Sequence, residues 1–173
     1  MHILLGLLAV IAVAIFILYR IQRASRATTA VIDMTDDVRA AIRRFGFTGL
    51  AQQDPLDALD DPRAAAAGVL TAIAALEGDL TREQTDAIQR ECASLFGVDR
   101  PEAADLYAIG RWLVRQRGPD EALRRLTPQL SAKLNTDEAQ DLLTSCRAVA
   151  EAHTGKVDDL QNQAMLRLQR ELR

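Results

Sequence analysis

From Ile3 to Tyr19 the chain runs through seventeen consecutive uncharged residues, ILLGLLAVIAVAIFILY. A helix needs roughly 17 to 25 such residues to cross a hydrocarbon core, so this stretch reaches the lower end of that range with little spare length for tilt. Two readings compete, a retained anchor and a cleaved signal peptide. A signal peptide would carry positive charge ahead of an apolar region of about 7 to 15 residues, with a small-x-small cleavage site behind it. Here nothing basic precedes the run, and Arg20, Arg23 and Arg26 follow it. The pattern favours a transmembrane anchor over residues 1–20 that contacts the lipid bilayer through residues 3–19. The bias of Lys and Arg toward the cytoplasmic side then orients the helix N-out. Tyr19 and Arg20 fall where an amphipathic ring and a snorkelling guanidinium mark the headgroup boundary. The remainder of the chain is expected in the cytoplasm, below the inner (plasma) membrane of a bacterial cell.

Setting the anchor and a connecting stretch aside leaves about 110 residues, enough for one ordinary domain and one core. Aromatic residues make up only 4% of the chain, and runs of Val, Ile, Thr and Tyr that favour strands are absent outside the anchor. The composition points to helices. Both charge signs are spread along the chain to a net charge of −3, without the basic block that would displace counterions from phosphate, so nucleic acid is not an expected partner. Cys92 and Cys146 are the two cysteines and lie in helical apolar patterns far from any CxxC or Cys/His spacing, which makes them small buried hydrophobes.

Residues 21–60 read as a juxtamembrane linker with a short amphipathic helix. In DMTDDVRAAIRRFGF, Val38, Ala41, Ile42 and Phe45 share one helical face, with Arg39, Arg43 and Arg44 beside them. Such a face could lie on anionic lipid, but it is short and follows Asp33, Asp36 and Asp37. Packing against the domain is the other reading. Gly46, Gly49, Pro55 and Pro62 then punctuate a loop-like run into the domain at 61–173.

Within that domain the helix starts are written in capping residues. Asp61 before Pro62 opens a first helix with Val69, Leu70, Ile73 and Leu76 along one face. Thr81 with Gln84 forms a capping box that opens a second, striped by Ile88, Cys92, Leu95 and Phe96 and ended by Gly97. Asp99 and Glu102 make another box, and Leu106, Ile109 and Leu113 keep the period until Gly118 and Pro119. A shorter element follows, with Leu123 and Leu126 before Pro128 and Leu130 and Leu134 after it. Asn135 and Glu138 box a long helix carrying Leu142, Cys146 and Val149, and Gly155 terminates it. Asp158 and Gln161 open the last, where Leu160, Ala164, Leu168 and Leu172 recur every fourth residue. The expected fold class is all-α: an anchor helix plus a compact helical bundle.

Two stretches of this bundle match in kind. Aligning Gly78 with Gly155 pairs Leu80 with Val157, Thr81 with Asp158, Gln84 with Gln161 and Ala87 with Ala164. Each glycine would supply the positive φ of a tight break, so the simple reading is a duplicated helix-turn-helix pair with pseudo-twofold symmetry. Chance likeness between two capped helices is the alternative. The run Glu77-Gly78-Asp79-Leu80-Thr81-Arg82-Glu83, with a second copy at Thr154-Gly155-Lys156-Val157-Asp158, resembles the TerB-like family, named for tellurite-resistance protein B. The likeness covers about residues 60 to 173. It implies a bundle with an internal twofold and a precedent for membrane tethering, the DnaJ-like co-chaperone with an N-terminal anchor and a TerB-like domain. No His-Pro-Asp tripeptide occurs here, so a J-domain activity is not implied.

The resemblance also implies acidic residues near the Gly turn that could hold a divalent metal, which map to Glu77, Asp79 and Glu83. Glu77 replaces the family's aspartate, and Lys156 places a cation where the second copy would need an acid. A hard cation asks for six or more oxygen ligands, which three solvated carboxylates do not supply. No catalytic constellation is expected: His2 and His153 are the only histidines, and phosphate-loop, HExxH and EF-hand spacings are missing. His153 suits the negative end of a helix dipole. Three functions follow as expectations: an inner-membrane protein-interaction or scaffold module serving envelope or stress-related assembly, a divalent-metal-responsive sensor using the acidic turns, or a structural tether for another membrane protein. No cofactor is expected.

Overall fold

The computed structural model describes Asp54, Leu56 and residues 59–173. The apolar run at 3–19 and the amphipathic stretch of the linker lie outside the described residues. Among the described residues no helix is long and apolar enough to cross a membrane.

The described residues form six helices and no strand: α1 (Pro62–Ala75), α2 (Arg82–Phe96), α3 (Arg100–Arg117), α4 (Pro119–Ser131), α5 (Thr136–Glu151) and α6 (Asp159–Glu171). The starts follow the caps. Asp61 accepts from the Arg63 amide ahead of Pro62. Thr81/Gln84, Asn135/Glu138 and Asp158/Gln161 all close reciprocal boxes, each satisfying two amides that a helix start would leave bare. The box expected at Asp99 is half formed. Asp99 accepts from the Glu102 amide at 3.0 Å, while Glu102 turns away to Arg63 at 2.9 Å and ties α3 to α1.

α1 sits at the centre and packs against all five other helices, most extensively against α3 and α4. The pattern of Val69, Leu70, Ile73 and Leu76 suggested one buried face. Instead every residue from Ala64 to Ala74 is buried, and Leu76 is only partly so. The reason is size: alanines and Gly68 let neighbours approach on every side, and a helix apolar all round is stable only when surrounded. The closest approach is to α3 at Gly110, where a Cβ would stand 2.6 Å from the Ala67 carbonyl oxygen. Thr71 places its hydroxyl in this apolar centre by donating to that same carbonyl at 2.7 Å.

Pro128 lies inside α4, with Leu123 and Leu126 before it and Leu130 after it in the same helix. It is exposed and close to the C-terminal end, so the carbonyl deprived of its amide partner is left on the solvent side. Leu160 is not part of the α6 stripe: it is 58% exposed, whereas Leu168 and Met165 are buried and Ala164 and Leu172 pack on the core. A repeat of four against 3.6 residues per turn drifts by about 40° per step, which carries Leu160 off the buried face that Leu172 still reaches.

Leu56 and Leu59, in the stretch read as linker, are buried in the core. Main-chain carbonyls tie this strap to α4 and the turn after it, with Gln129 Nε2 donating to Leu56 at 2.6 Å and Lys133 Nζ to Asp60 at 2.6 Å. Asp54 adds ion pairs to Arg117 and Arg125, each at 2.7 Å. The Arg125 guanidinium, ahead of the other contributions, holds the Asp54 carboxyl below its ordinary range.

Candidate functional site

The conspicuous chemistry gathers where α1 ends and α2 and α6 begin. Thr81 and Asp158 are both N-caps in extended conformation, and each is followed three residues later by a glutamine. Both glutamines are buried, at 1% and 0% exposure, which is rare for an amide unless every polar atom is matched. Gln84 accepts from the Thr81 amide at 3.0 Å and donates from Nε2 to the Glu77 carboxylate at 3.3 Å. Gln161 accepts from the Asp158 amide at 3.1 Å and donates from Nε2 to the Ile73 carbonyl at 3.3 Å. Each side chain thereby completes a helix start and fastens it to the last turns of α1 or to Glu77 just beyond.

The glycines ahead of these caps both have positive φ, but not the same one. Gly155 is left-handed at +72°, and Gly78 stands at +134°. Gly155 donates its amide to the Glu151 carbonyl at 2.8 Å, whereas Gly78 donates to Ala75 at 3.1 Å, one residue nearer. The first turn is therefore tighter than the second.

Of the sequence-derived metal candidates, Glu77 and Asp79 are exposed on the first turn, and Glu83 is exposed in the first turn of α2. Two of the three have local uses. Glu77 receives the Gln84 amide, and Glu83 is held below the ordinary glutamate range first by its own main-chain amide and then by the Thr81 hydroxyl, with His153 adding a smaller favourable charge. In the second turn Thr154 donates its hydroxyl to the Lys156 carbonyl at 3.0 Å and braces the backbone. Among the described residues no group of three or more His, Cys, Asp or Glu is placed to hold a metal ion.

Cys92 and Cys146 are free and buried. Burial, with the Glu91 charge as a smaller cause, pushes both thiols up to about 12. They are protonated at neutral pH and act as packing groups, as their apolar context indicated.

The surface feature that sequence reading missed is on α5 and α6. A groove of about 180 Å³ between them is lined by Gln140, Leu143, Arg147, Met165, Leu166 and Gln169. Leu160 and Leu166 are the exposed large hydrophobics of the described residues, and both are on α6. For Leu160 the signal was available in the drift of the period-four positions.

Comparisons with protein-family models, curated proteins and solved structures each find no match.

Proposed function

We propose that the chain is a membrane-anchored protein-interaction module, with residues 3–19 spanning the inner membrane N-out and the helical domain in the cytoplasm. The observation that carries this is the seventeen-residue apolar run with Arg20, Arg23 and Arg26 at its C-terminal flank. The form of the domain supports it. Capped helices around an apolar α1 make a compact core, and Leu56 and Leu59 of the strap are buried in it.

The duplicated, TerB-like organisation belongs to the same proposal. Its support is that Gln84 and Gln161, paired by the alignment of Gly78 with Gly155, are both buried and both close a capping box behind a positive-φ glycine.

Reporter fusions at the C-terminus test the topology. A fluorescent protein should light up and alkaline phosphatase should stay inactive, because the three arginines resist translocation. An active phosphatase with a dark fluorescent fusion overturns the orientation. Recovery of the full chain in the soluble fraction overturns the anchor.

A further inference from the structure

The two exposed leucines are on the outward face of α6. Met165 and Leu168 point that helix into the core, and Gln161 is wholly buried beside them. Opposite them lie Asp159, Leu160, Gln163, Leu166 and Arg167, all exposed. At about 100° per residue these five fall within a single arc of roughly 120°. Leu160 and Leu166 are 58% and 51% exposed, well beyond what core packing requires of them. Charge on this face is split along the axis. Asp159 stands at the N-terminal end, and Arg167 and Arg170 in the C-terminal half.

That order is complementary to itself in reverse. If a second α6 lies antiparallel with Gln163 at the crossing, Leu160 comes level with Leu166 of the second copy, and Asp159 level with its Arg167. The twofold then repeats both pairings. A parallel arrangement would set Arg167 against Arg167 and Asp159 against Asp159, which like-charge repulsion disfavours. From these observations we infer that the outer face of α6 is the contact surface for a second copy of this chain, paired antiparallel about Gln163. A single helix pair buries less than the roughly 1,200 Å² of a standard interface, so the association is weak and reversible. The inference names a partner for the interaction module and rests on that reading, but not on the anchor.

Cysteine cross-linking of the full chain, purified in mild detergent, tests it. Gln163→Cys places a thiol at the twofold axis, and Gln116→Cys at the exposed end of α3 serves as the collision control. The native Cys92 and Cys146 are buried and stay silent. Under a mild oxidant Gln163→Cys should form disulfide-linked dimer roughly tenfold faster than the control or more, because a paired site is held at high effective concentration. Adding Leu166→Glu should abolish that advantage with the melting temperature unchanged, since the side chain is already half exposed. Asp159→Arg and Arg167→Asp should each slow cross-linking, and the two together should restore it, because the swap rebuilds both ion pairs. Equal rates for Gln163→Cys and Gln116→Cys, or no recovery in the swapped chain, overturn the proposal. That failure removes the second copy as partner and leaves the membrane placement, which the fusions read separately, unaffected.

Discussion

The turn before α2 and the turn before α6 share a glycine, an N-cap and a buried glutamine, yet the two glutamines are wired differently. Gln84 spends its amide on Glu77, seven residues back and exposed to solvent. Gln161 reaches 88 residues back to the Ile73 carbonyl inside the core. One motif is thus a local fastening, and the other joins the end of the chain to the central helix. The same side chain in the same capping box acquires a different structural role from what happens to stand beside it. A repeated local pattern therefore reports how two helices start, and not how each is held.

Replacing the glutamines should separate the two roles most sharply. Gln161→Ala leaves a buried carbonyl without its side-chain donor and a hole beside it, for a cost of about 3 kcal/mol. In a domain of this size that corresponds to roughly 10 °C of melting temperature. Gln84→Ala should cost about half as much, because the Glu77 carboxylate can turn to water. Thermal unfolding followed by circular dichroism reads both. Equal losses would mean that the long-range bond adds nothing to the cap, and the contrast drawn above would collapse.

The glycines come next in size. Gly155→Ala puts a side chain in the left-handed region at a cost of about 1 kcal/mol. Space is not the obstacle, since nothing lies within 4 Å of a Cβ built there. Gly78, at +134°, is outside that region altogether, and Gly78→Ala should cost about 2 kcal/mol. Asparagine sharpens the comparison. It tolerates left-handed backbone, so Gly155→Asn should fold almost as well as the parent and Gly78→Asn should not. Matching responses at the two sites would restore one shared turn geometry and strengthen the duplication.

The smallest effect concerns acid. Glu83 lies in the first turn of α2, where the matching position of α6 is Leu160 and the acid of the α6 first turn, Asp159, stands one residue earlier. The folded state lowers the Glu83 pKa from 4.5. A depressed carboxylate contributes stability that is fully present above its unfolded value and is lost as pH falls through the folded one. Melting temperatures of the parent should accordingly decline below about pH 4.5 more steeply than those of Glu83→Gln. Parallel acid limbs would show that the carboxylate does no more for α2 than Leu160 does for α6.

Much of the helical layout was legible in the sequence because capping is chemistry within four residues. Asp61, Thr81, Asn135 and Asp158 each satisfy amides of their own helix start, and those bonds exist whatever surrounds them. The protonated, buried state of Cys92 and Cys146 was legible for a related reason, since a thiol within an apolar stripe follows the stripe. The acidic turn was visible as a cluster of carboxylates, but the partners of those carboxylates were not.

What only the tertiary structure decided was each feature set by residues distant in the chain. α1 is buried all round because α3 crosses it at Gly110 and α4 meets it at Gly68. Gln161 is buried because Ile73 offers a carbonyl there, and Leu56 because α4 holds its strap. Leu160 keeps its place in the sequence rhythm and still faces water, since a helix turns every 3.6 residues whatever the spacing of its leucines. Hydrogen bonds inside one turn are settled by neighbours in the chain. Burial is settled by which surfaces meet, and that depends on the size and shape of side chains brought together from far apart.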